Sequence, residues 1–318
     1  MTTKFAYRQH DTGPSMFVYI LGAGAMGCVF GAKLSAAGWR IHLVDVNAKQ
    51  IAAINEAGLK LIGENGENNY RLPASNAADA KELADLIIVF TKSLHTSDAI
   101  ASMRHVIGDK TYVLTLQNGL GNAEKIAAFV ARDRILEGVT TVPADLVSPG
   151  VVSSHGAGGV QFYPLTADPA PVVEEISSAL ARAGIDAKAD PAIREAIWTK
   201  VIFNATMNAT CALLDTTPGP LGDRQDGVAL AAALVEEGVA VAAASGCPID
   251  AARVHAMTKM SMTQHRNHIA SMLQDLRAGR RTEVDDINGA IVRQARAHGV
   301  NAPMHETLWR LMRLREDL

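Results

Sequence analysis

Lys200, Asn204 and Asn208 recur at every fourth position of the apolar stretch IWTKVIFNATMNA, residues 197–209. Four-residue spacing stacks side chains on one face of a helix, so the three form a polar stripe beside Ile202, Phe203 and Met207. Reducing a ketone with hydride builds negative charge on the carbonyl oxygen, and a site for that chemistry needs a proton donor and positive potential there. The Lys200 ammonium supplies both, and the two asparagines offer donors and acceptors to hydroxyl or carboxylate oxygens. A lone lysine also reads as a surface side chain laying its stem over apolar neighbours. Two asparagines, poor helix formers, facing the same way are harder to explain as filler.

A second polar group lies in SMLQDLRAGRRTEVDDINGA, with Ser271, Asp275, Glu283, Asp285 and Asp286 among Met272, Leu273, Ile287 and Ala290. Such density is common on solvated surfaces. An acid such as Glu283 beside Lys200 would hold and tune the ammonium group. In the first half, FTKS carries Thr91 and Lys92, and LQNG carries Asn118, each just after a predicted strand. Ligands of open α/β sheets bind beyond the carboxyl ends of the strands. Asn118-Gly119 reads equally well as an ordinary turn dipeptide.

The elements that must position these groups begin at Phe17. FVYILGAGAMG is a short apolar run, a glycine-rich turn, and then the helix-like CVFGAKLSAAG. Gly22, Gly24 and Gly27 make GxGxxG in the strand, turn, helix context that gives this pattern meaning. Gly22 permits the tight turn, Gly24 lets backbone approach a pyrophosphate, and Gly27 allows close helix packing. Ala23, Ala25 and Met26 complete the cradle at the helix N-terminus, where unpaired N–H groups face the anion. Asp45 follows Gly27 by 18 positions at the end of the second strand, IHLVDV. A carboxylate there accepts from the ribose hydroxyls of NAD and repels the 2′-phosphate of NADP. Lys49 is near enough to reach a phosphate, so NADP stays open beside the favoured NAD.

LADLIIVFTKS and TYVLTLQNG add further strands whose continuous apolar runs imply a parallel sheet covered on both faces. Residues 135–165 predict short strands and turns. Helical periodicity over 191–214, 224–246, 250–278 and 283–298 predicts a mostly helical second half. The reading is a disordered leader over 1–15, a dinucleotide-binding domain over 16–190 and a helical domain over 191–318. The 318 residues, 48% hydrophobic and 20% charged, suffice for two such cores.

A net charge of −3 and pI near 6.4 give no reason to expect nucleic acid or an acidic membrane as partner. Cys28, Cys211 and Cys247 show neither disulfide nor metal spacing, which fits a reducing cytoplasm and no metal centre. No signal peptide is read in MTTKFAYRQHDTGPS, and no stretch is read as an apolar membrane span.

GAGAMG, FTKS, LQNG, WTKVIFNATMN and above all SMLQDLRAGRRTEVDDINGAIVRQARAHGVNAP resemble the ketopantoate reductases from about Met16 to Leu318. The resemblance implies a Rossmann domain followed by a helical domain like that of 6-phosphogluconate dehydrogenases, with the active site between them. It implies reduction of 2-dehydropantoate to pantoate and, usually for the family, a homodimer. Carried over by motif, Lys200 matches the general acid and Glu283 its partnering carboxylate. Asn118, Asn204, Asn208 and Ser271 match substrate contacts, and Lys92 and Asn118 lie toward the nicotinamide.

Two departures stand out. Family members commonly use NADPH and carry a basic residue where this chain has Asp45-Val46-Asn47. Many have another polar contact near the position occupied here by Pro218-Gly219. Both features resemble a branch of NAD-dependent D-2-hydroxyacid dehydrogenases of the mandelate type, the alternative reading. A non-catalytic dinucleotide sensor is the alternative of another class; it would have no need of a proton donor in the cleft.

Overall fold

The structure, a computed structural model, describes residues 16–64, 66–166 and 171–318. The reading of residues 1–15 as a disordered leader lies outside the described residues.

The first half alternates strands and helices: β1 (Phe17–Leu21), α1 (Ala25–Ala36), β2 (Arg40–Val44), α2 (Ala48–Ala57), β3 (Leu59–Gly63), β4 (Gly66–Tyr70) and β5 (Ala74–Ser75). It continues through β6 (Leu86–Val89), α3 (Thr96–Ser102), β7 (Tyr112–Thr115), α4 (Asn122–Ala127), β8 (Ile135–Thr140), β9 (Asp145–Ser148), β10 (Val151–Ser154) and β11 (Gly159–Pro164). Then come α5 (Pro171–Arg182) and β12 (Asp186–Ala189).

The main sheet has the order β12-β11-β8-β7-β6-β1-β2-β5. Its pairings are parallel except β8 with β11, so the expected parallel sheet is mixed near one edge. Val18, Ile20, Leu86 and Leu114 pack one face and Tyr19, Ile87 and Val113 the other, which is why these strands read as unbroken apolar runs. Strand order reverses between β1 and β6, and the crevice at their carboxyl ends is where open sheets of this kind hold ligands. The expected short strands of 135–165 are present, two of them in a separate four-stranded sheet, β4-β3-β10-β9.

Every element after β12 is helical: α6 (Ile193–Leu213), α7 (Pro218–Gly222), α8 (Gln225–Ala244), α9 (Ala251–Thr263), α10 (Ser271–Arg277), α11 (Asn288–Ala297) and α12 (Pro303–Asp317). Three expectations need correction. The stretch 250–278 is two helices, because the chain turns at 264–270, where the Gly219 N–H takes the Arg266 carbonyl at 2.9 Å. The helix expected from 283 starts at Asn288, since 282–287 turns outward to present Glu283 and Asp286 to the sheet domain. And α8 is long and apolar enough, by length and composition, to cross a membrane, with a window of mean hydropathy 1.7. Its Leu234, Val235 and Val241 pack in the second core, while a face of alanines with Val228 and Glu236 is exposed.

A buried polar link organises that core. Asn288 donates to the Ala205 carbonyl at 3.0 Å and lies 3.3 Å from His305 Nδ1, while His305 Nε2 faces the Leu234 carbonyl at 3.0 Å. The ring is therefore best satisfied with its proton on Nε2. Burial pushes the His305 pKa down to about 4.

Candidate active site

The glycine turn fills its expected roles one residue at a time. Gly22 has φ +102°, and a Cβ there would lie 2.6 Å from the Thr91 backbone nitrogen. A Cβ on Gly27 would collide with the Gly22 carbonyl oxygen. Gly24 is the opposite case: nothing lies within 4 Å of a Cβ built on it, so the space over the start of α1 is open. Gly24 caps α1 without a side-chain bond, leaving first-turn N–H groups for an anion. Asp45 stands beside this turn, its carboxylate accepting from the Ala23 N–H at 2.7 Å and the Asn47 N–H at 2.9 Å. A carboxylate has about four lone-pair sites, so two such bonds leave capacity for hydroxyl groups.

The ends of β6 and β7 are tied together by Gln117, whose side chain donates to the Thr91 carbonyl at 2.7 Å and to Thr96 Oγ1 at 2.9 Å. Lys92 does not point freely into the crevice. Its ammonium group is held by Asp275 at 2.6 Å and by the Arg281 carbonyl at 2.8 Å, joining the sheet to the helical half. Lys125 makes a parallel link to Asp286 at 2.8 Å.

Helix α6 carries the polar stripe into a cavity of about 160 Å³. Lys200, Asn204 and Asn208 line it together with Asn118 from the loop after β7 and Ser271 from the start of α10. Asn204 and Asn208 are only 8% and 9% exposed, so their amides have little access to bulk water. Asn208 reaches Ser271 Oγ at 3.4 Å. Pro218, which the sequence places at a departure from the family, also lines the cavity, and sequence reasoning missed Cys211 on α6 and Ser261, His268 and Ala270 opposite it. Phe203 and Met207, which flank the stripe, complete its apolar side. The helical spacing revealed those two as neighbours of the stripe; Ser261 and His268 carry no signal of their own in the sequence.

Lys200 donates to the Thr140 carbonyl at 2.7 Å. Burial pushes its pKa down to about 8, opposed by the negative charge of Glu283. Glu283 makes no ion pair with Lys200 among the described residues. Its carboxylate instead accepts from the Ser93 N–H at 3.0 Å and from the Asn118 amide at 3.2 Å, so it acts on the lysine through space while fixing Asn118. The loop bearing Asn118 is held closely: Leu120 N–H donates to the Asp286 carbonyl at 3.0 Å, and a Cβ on Gly119 would strike that same oxygen.

A half-buried amine with its pKa lowered to about 8, beside amides and a hydroxyl that recognise oxygen-rich groups, can protonate an oxygen on which charge develops. Residues 18–166 match the family described as ketopantoate reductase PanE/ApbA, and residues 192–316 match ketopantoate reductase PanE/ApbA C terminal. The chain is 34% identical over 302 residues to a 2-dehydropantoate 2-reductase of Streptococcus pyogenes, covering 95% of this chain and 98% of that one. It is 35% identical over 305 residues to a 2-dehydropantoate 2-reductase of Pyrococcus horikoshii, with coverage of 95% and 98%. Among solved structures, it is similar to D-mandelate dehydrogenase with NADH and anilino(oxo)acetate, at TM-score 0.91 and 32% identity, covering 95% of this chain and 99% of that one. The chain belongs to the ketopantoate reductase family of oxidoreductases.

Proposed function

We propose that this member of the family is a 2-dehydropantoate 2-reductase, with Lys200 the general acid. One observation carries the reading: Lys200, Asn118, Asn204, Asn208 and Ser271 line a single cavity. The residues present fit a dinucleotide, since the open side of Gly24 and the uncapped start of α1 suit a pyrophosphate. Gly22, Ala23, Gly24, Ala25, Met26 and Gly27 would hold it, with Asp45 at the ribose, and Thr91, Lys92 and Asn118 toward the nicotinamide. When bound, the reduced nicotinamide supplies the hydride.

The chain's own groups do the rest. Asn204, Asn208 and Ser271 bind and orient the oxygens of the 2-oxo acid, and Asn118 is aimed by Glu283. Lys200 gives its proton to the oxygen that was the carbonyl, exchanging its bond to Thr140 for one to substrate. The Glu283 charge favours the protonated lysine until transfer. Asp45 favours NADH over NADPH, because its carboxylate stands where a 2′-phosphate would be repelled. Residues 16–190 form the cofactor domain in this reading, and 191–318 the substrate domain and homodimer contact, the latter testable by sedimentation.

A second reading, an NAD-dependent D-2-hydroxyacid dehydrogenase of the mandelate type, is favoured by the apolar wall of Phe203, Met207 and Pro218. The similarity to D-mandelate dehydrogenase supports it as well. Following absorbance while the purified chain oxidises NADH, and separately NADPH, with ketopantoate and then with phenylglyoxylate separates the two. Efficient turnover of ketopantoate supports the first reading, turnover of phenylglyoxylate alone supports the second, and inactivity toward both removes the general-acid role.

A further inference from the structure

A second cavity, of about 210 Å³, lies on the other side of the loop that carries Asn118. Gly119, Leu120 and Gly121, which follow Asn118, form one wall, and the others come from β8, α4, the first turns of α6 and Gln294 of α11. At about 30 Å³ per water the space equals about seven waters, the size of a small metabolite. None of the residues assigned above to proton transfer or to the dinucleotide lines it.

Thr115, Gln117, Asn122 and Ser245 in its wall are bonded within the protein, but four other polar side chains are not. Glu124 and Arg194 stand exposed at the mouth of the cavity, Glu137 and Gln294 line it partly buried, and among the described residues none of the four side chains makes a hydrogen bond or an ion pair. Glu137 stands on a central strand, opposite Thr115, and is largely withdrawn from solvent. A carboxyl group so placed ordinarily finds a donor inside the protein. Burial, and then the Glu124 charge, push its pKa up to about 7, against the pull of Arg194 and Arg132. Cys247 lies within the electrostatic reach of Glu137 and Arg194. Leu120, Ile197 and the side of Trp198 give the cavity an apolar floor.

Two carboxyl groups and one guanidinium in one small chamber match a molecule with an amine at one end and a carboxylate at the other. We propose that this cavity is a binding site for a small amino acid-like zwitterion, its ammonium group on Glu137 and Glu124 and its carboxylate on Arg194, with Leu120 and Trp198 against its carbon chain. A single anion would face two carboxyl groups, and a single cation would leave the guanidinium unpaired. Occupancy turns Glu137 into its ionised form and releases a proton, so affinity rises as pH increases through about 7.

Calorimetric titration of the full chain tests this with L-valine and 4-aminobutyrate as probes, and isobutyrate and isobutylamine as single-charge controls. At least one zwitterion binds at one site, and each control binds about tenfold more weakly or worse. Glu137→Gln and Arg194→Met each weaken the zwitterion by about tenfold or more while melting temperature and turnover stay as in the parent. Glu124→Gln, at an exposed residue placed on the ammonium group, is the third variant where either fails to fold, and it too weakens the zwitterion. Absence of binding by both zwitterions, equal binding of the controls, or affinity indifferent to the substitutions overturns the proposal. The readout is binding rather than turnover, so its failure is separate from failure of the reductase reading.

Discussion

Lys200 donates to the main-chain carbonyl of Thr140 at 2.7 Å, so the amine of α6 is docked on the last residue of β8. That bond fixes a side chain that would otherwise sample many rotamers, and it is one a substrate oxygen can replace. Lys200→Ala is expected to lower turnover of the 2-oxo acid by about 10²–10⁴-fold, measured at saturating cofactor. A rate within a few-fold of the parent excludes Lys200 as the acid. Burying an ammonium group is costly, so Lys200→Met is expected to raise the melting temperature even as activity disappears.

The pH profile follows from the same group. With the lysine pKa lowered to about 8, the acid form needed for reduction is depleted above that pH. The value of kcat/KM for reduction should fall as pH rises through about 8, while the reverse oxidation, which needs the free amine, gains over the same range. Initial rates in both directions between pH 6 and about 10 test this, and parallel profiles would falsify the assignment.

Glu283→Gln keeps a side chain that can still accept from the Ser93 N–H but removes the charge that supports protonated Lys200. The basic limb of the reduction profile should move to lower pH, and turnover should drop by about one to two orders of magnitude. A lower rate with an unmoved limb would show that Glu283 acts only by holding Asn118.

Asp45→Asn tests cofactor choice. The amide keeps one acceptor oxygen for the Ala23 or the Asn47 N–H and gives up the other bond, while the charge that repels a 2′-phosphate is gone. The ratio of kcat/KM for NADPH over NADH should rise by about tenfold or more. An unchanged ratio assigns the preference to other residues.

His305 gives a stability prediction independent of chemistry. Its folded pKa is lowered to about 4 from the model-peptide value of 6.5, so the unfolded chain binds the extra proton first. Its stabilising share is whole above pH 6.5 and is lost as pH falls toward 4, about 3 kcal/mol across the window. Denaturant unfolding at several pH values measures it, and His305→Gln should flatten that dependence.

How much of this was legible in the sequence differs element by element. The strands β1, β6 and β7 are covered on both faces, so their apolar runs were unbroken and easy to read. The stripe on α6 was legible because both its period and its polar residues contradict an apolar setting. The break at 264–270 was not, because Gln264, His265 and Arg266 are compatible with helix and are turned by a contact with Gly219 from far along the chain. For the same reason the partner of Lys92, Asp275 on a helix of the other half, is not announced by any local spacing. The helix α12 is hard to see in the sequence although Pro303 marks its start, since its exposed face is crowded with arginines and its buried anchors are few. The second cavity is assembled from the loop, β8, α4, α6 and α11, and no spacing in the chain announces it.

The division of labour around the first cavity matters to anyone altering this protein. Lys200, Asn204 and Asn208 share one continuous 21-residue helix, whereas Pro218, Ser261, His268 and Ala270 come from two separate segments later in the chain. The proton-handling apparatus and the wall that meets the substrate's side group are thus separately replaceable modules. On the proposed reading, grafting residues 216–222 and 261–270 from a relative with a different side-group preference is expected to redraw selectivity while Lys200, Asn204, Asn208 and Ser271 stay in place.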